Sequence, residues 1–223
     1  MGDITHVPTF VIELFGITLT VNYLTVFNTW AIMVTLIVLA FIVRGRIKET
    51  PGPVQRVAEL YISAMDNLTR ETLETTSRAY FPLVATMFVF LLLCNWWGII
   101  PGFEEPTKDL NTPLSLGLMG FFLTHTASIR AKGIGPYLKE YTHPFFIMAP
   151  LNVVGELAKV VSISFRLFGN IMGGAIIITV VSWMVYSVAL PPFLYAFFGM
   201  FVGTVQAFVF TMLTITYIAV ATK

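Results

Sequence analysis

Arg166 is the first residue in this sequence that could do chemistry, because it is a permanent charge inside an apolar run. Phe165, Leu167 and Phe168 flank it, and 56 uncharged residues separate it from Lys223. A charge at membrane depth costs at least about 2.5 kcal/mol and usually faces protein or water. On a helix advancing 100° per residue, six neighbours share one side with it: Asn152, Glu156, Lys159, Ser162, Asn170 and Gly173. The arc spans about 120°, and the rest of the helix is almost entirely apolar. Such a stripe reads as the wall of a polar path, with a small residue where something must pass. The bland alternatives are an internal salt bridge or snorkelling for Glu156 and Lys159. For Ser162, Asn170 and Gln206 they are ordinary interhelix hydrogen bonds. His125 reads as an interfacial histidine rather than a proton carrier. No cluster has metal-ligand spacing, and no phosphate loop or Ser/His/Asp arrangement is present. No cofactor is expected.

The elements that must position this stripe follow from composition. Of 223 residues, 57% are hydrophobic and 11% charged. Globular domains sit near 45–50% and 25%. A soluble fold could not hide this much apolar surface. Net charge is +1 and the lone cysteine, Cys94, lies in an apolar run, so neither a nucleic-acid partner nor a disulfide framework is indicated. The long apolar runs predict an all-α integral membrane protein with five transmembrane helices and one amphipathic helix. The spans are 26–43, 80–100, 112–129, 145–190 and 191–222, in a single membrane domain, 1–223. Val54, Val57, Leu60, Tyr61, Ala64 and Leu68 recur at helical spacing and make 51–79 an interfacial helix. The last two spans exceed the bilayer thickness, which predicts either broken helices or a long tilted hairpin over 145–222.

Five crossings with the N-terminus outside place ten Lys and Arg on the cytoplasmic side and only Lys108 outside. The positive-inside rule favours that orientation, with the C-terminus cytoplasmic. Secondary transporters commonly carry internal repeats, and none is visible here.

The motif Arg166-Leu167-Phe168-Gly169-Asn170, preceded by Lys159 and Ser162, resembles the signature of subunit a of F-type ATP synthases. Pro150-Leu151-Asn152-Val153-Val154-Gly155-Glu156 resembles the start of the same helix in that family. Gln206-Ala207-Phe208 and Thr214-Ile215-Thr216-Tyr217-Ile218 are similar to its last helix. Lys132-Gly133-Ile134-Gly135 and Phe81-Pro82-Leu83 through Asn95 fit earlier segments. The resemblance covers roughly 80–222. It implies a membrane stator subunit that is not itself an enzyme. Two offset half-channels would feed a rotating ring of c subunits. Expected partners are that ring, the b-subunit peripheral stalk, the remaining synthase subunits and the lipid bilayer. The expected location is a bacterial inner membrane.

The resemblance makes Arg166 the essential charge between the half-channels. Asn170, Gln206, Ser162, Glu156, Lys159 and Asn152 are then lining residues. Arginine suits that post because its pKa exceeds 12, so it stays charged. Its charge repels a leaking proton and lowers the pKa of a passing carboxylate. One departure stands out. Many members of the family carry a titratable residue nine positions after the arginine, often paired with another on the last helix. Those positions are Ala175 and Gly199 here. Glu13, Glu104, Glu105, Asp109 and His125 are the possible stand-ins, and sodium stays open as the carried ion. A stand-alone channel or transporter and a purely structural membrane anchor are the rival readings.

Overall fold

Apolar runs in a membrane must satisfy their own backbone hydrogen bonds, and a helix does so within one segment. A computed structural model describes residues 9–14, 17–45, 47, 51–73, 77–100, 103–142, 147–185 and 190–223. Arg46, Lys48 and parts of the predicted 145–190 span (145–146, 186–189) lie outside them.

Beyond the all-α expectation, an antiparallel hairpin precedes the helices. Strand β1 (Thr9–Leu14) pairs with β2 (Ile17–Asn22), Thr9 opposite Asn22 and Leu14 opposite Ile17. The second strand, Ile-Thr-Leu-Thr-Val-Asn, is rich in β-branched residues, which suit a strand better than a helix.

Eight α-helices follow among the described residues. They are α1 (Tyr23–Gly45), α2 (Pro53–Leu73), α3 (Ser77–Trp96), α4 (Asn111–Lys132), α5 (Ile134–Thr142), α6 (Met148–Val185), α7 (Leu190–Tyr195) and α8 (Gly203–Thr222). A 3₁₀ turn, Trp97–Ile99, extends α3, and a seven-residue π-helical stretch, Ala196–Val202, joins α7 to α8. Gly133 ends α4 at φ 84°, a left-handed conformation that glycine adopts without strain.

Among the described residues four segments are long and apolar enough to cross a membrane: Tyr23–Gly45, Ala79–Ile99, Met148–Met184 and Pro192–Thr222. Helix α4, which contains the predicted 112–129 span, is less apolar than these. Helix α6 has 38 residues, hence a length of about 57 Å. The chain after Pro191 answers the length problem differently, by changing helix type at Ala196–Val202.

Helices α3, α4, α6 and α8 form the core. Leu91, Leu167 and Phe210 are fully buried there, with Met87, Leu116, Ile163, Ile171 and Ala207 around them. A second cluster joins Leu73, Val84, Ala127, Ile215, Ile218 and Ala219. The outside is apolar: Trp30, Phe41, Phe122 and Trp183 are all more than 60% exposed, as lipid-facing side chains would be.

Helix α2 packs through Met65, Thr69 and Leu73. Within the predicted apolar stripe, Tyr61 turns inward and donates to the Ala85 carbonyl at 2.6 Å. Burial pushes its phenol up to about 12. Val54, Val57 and Leu60 of the stripe are uncovered by this chain.

Candidate ion-translocation site

Helix α6 buries Val160, Ile163, Ser164, Leu167, Ile171 and Ile178 and turns the polar arc away from them. The arc divides in two. Near the start of α6 its residues bond to neighbours: Lys159 Nζ donates to Glu156 Oε1 at 2.5 Å, and Asn152 Nδ2 donates to the Tyr141 carbonyl at 3.0 Å. Lys159 Nζ also lies 5.4 Å from the Tyr217 ring centroid.

Further along, Ser162, Arg166 and Asn170 are exposed. Arg166 has no ion pair among the described residues. A Cβ built on Gly155, Gly169 or Gly173 would meet nothing within 4 Å. The arginine therefore stands on an open, small-residue face of α6. Beside it Asn170 Nδ2 donates to Gln206 Oε1 at 2.7 Å, tying α6 to α8. Gln206 is buried, and its Nε2 has no partner among the described residues.

Two cavities flank this point. The α5-side cavity, about 650 Å³, is lined by Glu140, Tyr141, Asn152, Glu156, Lys159 and Tyr217, among others. The loop-side cavity, about 670 Å³, lies between the 98–108 connection, α6 and the chain around the π stretch. Its lining includes Glu104, Glu105, Ile171, Ala175, Thr179 and Gly199. The two share no lining residue, and Arg166 lines neither. Between Lys159, the last α6 residue of one, and Ile171, the first of the other, lies about 18 Å of helix. Arg166 is inside that interval.

Sequence reasoning assigned no role to the polar side chains that fix this geometry. Asn95 is fully buried; its Nδ2 donates to the Gly203 carbonyl at 2.8 Å and its Oδ1 accepts from Thr107 Oγ1 at 2.9 Å. It clamps the start of α8 to α3 and to the connection before α4. Gly199 and Gly203 permit the contact: a Cβ at either would stand 2.9 Å from Ile99 Cγ1 or Asn95 Cβ. Buried Ser164 donates to the Pro113 carbonyl at 3.1 Å, and Gly117 leaves room for it. An asparagine near the end of an apolar span was a usable signal for the first clamp, because such a side chain needs partners. Nothing in the sequence pairs it with Gly203.

Comparison with known proteins decides what this arrangement belongs to. A family model described as ATP synthase A chain matches residues 26–219. The chain belongs to the ATP synthase A chain family. It is similar to ATP synthase subunit a of Moorella thermoacetica, 38% identical over 96% of this chain and 97% of the relative. It is also similar to ATP synthase subunit a 3 of Pelobacter propionicus, 36% identical over 85% and 83%. A third relative is ATP synthase subunit a of Acidothermus cellulolyticus, 38% identical over 77% and 66%.

As a member of the ATP synthase A chain family, this is a non-catalytic, multi-pass membrane subunit of an ATP synthase complex, in its Fo part. Within that family frame the two substituted positions have a location. Ala175 and Gly199 both line the loop-side cavity. Among the possible stand-ins, Glu104 and Glu105 line it too. Asp109 is engaged elsewhere: it accepts from Thr25 Oγ1 at 3.2 Å and from Asn111 at 3.0 and 3.1 Å. His125 sits near the other cavity, with Nε2 3.3 Å from the Tyr141 hydroxyl. The side chain of Glu13 lies outside the described residues.

Proposed function

We propose that the chain is the ion-translocating stator of a rotary ATP synthase, most simply for protons. It provides two offset half-channels to a ring of c subunits, with Arg166 between them. The observation that carries the reading is the offset of the two cavities along α6, with the arginine in the interval they leave. The loop-side cavity is the outer half-channel and the α5-side cavity the cytoplasmic one, in keeping with the Lys and Arg of the 44–78 and 130–144 connections.

In this reading a proton enters from outside and neutralises a carboxylate on the ring. It travels with the ring through lipid and leaves on the cytoplasmic side. Asn170 and Gln206 carry the outer path toward Arg166, and Asn152, Glu156, Lys159 and Ser162 line the cytoplasmic one. The open face of Gly155, Ser162, Gly169 and Gly173 admits the ring helices closely. Arg166 holds the passing carboxylate ionised and blocks direct passage between the channels. A direct leak would dissipate about 2.3 kcal/mol per charge per 100 mV without rotation. Helix α4 supplies the fifth crossing and α2 an interfacial helix. The b-subunit stalk and the other synthase subunits complete the complex, in a bacterial inner membrane with the N-terminus outside. A stand-alone pore would need one continuous path, and two cavities with no shared lining do not supply it.

The test is Arg166→Ala in the assembled complex. ATP-driven acidification of inverted vesicles falls to background while subunit retention is unchanged. Pumping at the parent rate by an assembled variant would make Arg166 structural and the mechanism wrong.

A further inference from the structure

The loop-side cavity has no titratable side chain from α6: Ile171, Ala175, Ile178 and Thr179 line it there. From the 3₁₀ turn and its end it has Gly98, Ile99 and Ile100. Among the described residues, the ionisable groups on its wall are Glu104, Glu105 and Lys108 of the connection and Tyr195 of α7. A cavity of about 670 Å³ holds many waters, so it can conduct a proton to its wall. Its inner end reaches Ile171, beside Asn170 and about 7.5 Å along the helix from Arg166. What the cavity needs is a group that accepts the proton from bulk water and releases it inward.

Glu105 is placed for that. It is half-buried, whereas Glu104 is exposed. Its carboxylate lies over Gly98: a Cβ on Gly98 would stand 1.9 Å from Glu105 Oε1. No other residue type at 98 leaves that space. The backbone carries it rigidly, because Pro106 follows and the next residue, Thr107, is fully buried on Asn95. The Glu104 carbonyl accepts from Asn28 Nδ2 at 3.0 Å, which ties the same strand of chain to α1. Burial raises the Glu105 carboxyl above its ordinary value of 4.5, and the Glu104 charge adds to that; its own backbone N–H and Lys108 oppose it. A carboxyl so raised exchanges protons closer to neutral pH than a solvated one does.

We propose that Glu105 is the proton-carrying group of the outer half-channel, doing the work that no side chain at 175 or 199 can do. The inference rests on the loop-side cavity being that half-channel. In each step the carboxylate takes one proton from water in the cavity. It then returns to the carboxylate as it passes that proton to water nearer Asn170. During ATP-driven pumping the sequence runs in reverse.

Glu105→Gln and Glu105→Asp complexes in inverted vesicles test it, in sodium-free buffer. Initial ATP-driven acidification is followed over a range of lumenal pH, with the outside pH fixed. The Gln variant assembles, pumps on the order of a hundredfold or more below the parent rate, and loses the parent's dependence on lumenal pH. The Asp variant recovers most of the rate with a displaced pH profile. An assembled Gln variant with the parent's rate and profile overturns the proposal. So does a slow Gln variant that keeps the parent's profile, since that is the mark of a structural role. If the Gln variant does not assemble, the Asp profile decides: displaced supports the proposal, unchanged overturns it. An assembled Arg166→Ala complex that still pumps would instead sink the half-channel reading itself.

Discussion

Arg166 was legible because its cost is legible: an unpaired charge in an apolar run requires a partner or a path. Its surroundings sharpen what a substitution should do. Lysine keeps the charge but replaces a broad, permanently protonated fork with a compact ammonium that releases its proton when desolvated. Arg166→Lys should therefore assemble normally yet pump far below the parent rate, in the same vesicle assay. Asn95 makes a different prediction. It is fully buried and makes two hydrogen bonds. Asn95→Ala leaves the Thr107 hydroxyl unpaired and should cost about 2–3 kcal/mol, read as a lower unfolding midpoint of the solubilised complex. Glu105 adds a pH dependence. Its folded pKa is raised above the ordinary 4.5. The stability it contributes is complete below that value and is lost as pH rises through the folded pKa. Glu105→Gln should flatten that decline in the unfolding midpoint.

At the scale of elements, the glycines separate folding from function. A Cβ at Gly203 would press on Asn95 Cβ, next to backbone that cannot move, whereas one at Gly169 meets open space. Gly203→Val should destabilise the complex by about 1–3 kcal/mol. Gly169→Leu should leave stability and subunit retention unchanged but reduce ATP-driven pumping, because the bulk falls where the ring would pass. Helix positions were readable from apolar runs, since a bilayer leaves the backbone no other economical solution. The π stretch was not, because Ala196–Val202 (Ala-Phe-Phe-Gly-Met-Phe-Val) has the composition of any lipid-facing helix. Nor was the hairpin β1–β2, whose second strand lies in the uncharged run that continues into α1.

For the whole molecule, charge distribution carried most of the architecture. With 24 of the 25 charges at or before Arg166 and the last at Lys223, the region 167–222 could only be membrane. The two cavities could not have been read this way. Each is bounded by residues from at least three separate parts of the chain, and no periodicity within one element reports such a meeting. The orientation remains a prediction on this scale. Single cysteines placed on a Cys94→Ser background at Lys223 and in the 103–105 connection should react with an impermeant thiol reagent from opposite sides of the membrane. The Lys223 site should be the one reached in inverted vesicles.

A π turn holds one residue more than an α turn. The seven residues from Ala196 to Val202 therefore rotate everything before them relative to α8. A helical wheel drawn straight through 192–222 puts Tyr195 and Gln206 on one side, about 20° apart, whereas the extra residue turns them about 80° apart. The natural mutation to probe this is a deletion. Removing one residue from the stretch would let the chain re-wind as α-helix. It would swing Tyr195 and Ala196 off the loop-side cavity without altering a single side chain in α8.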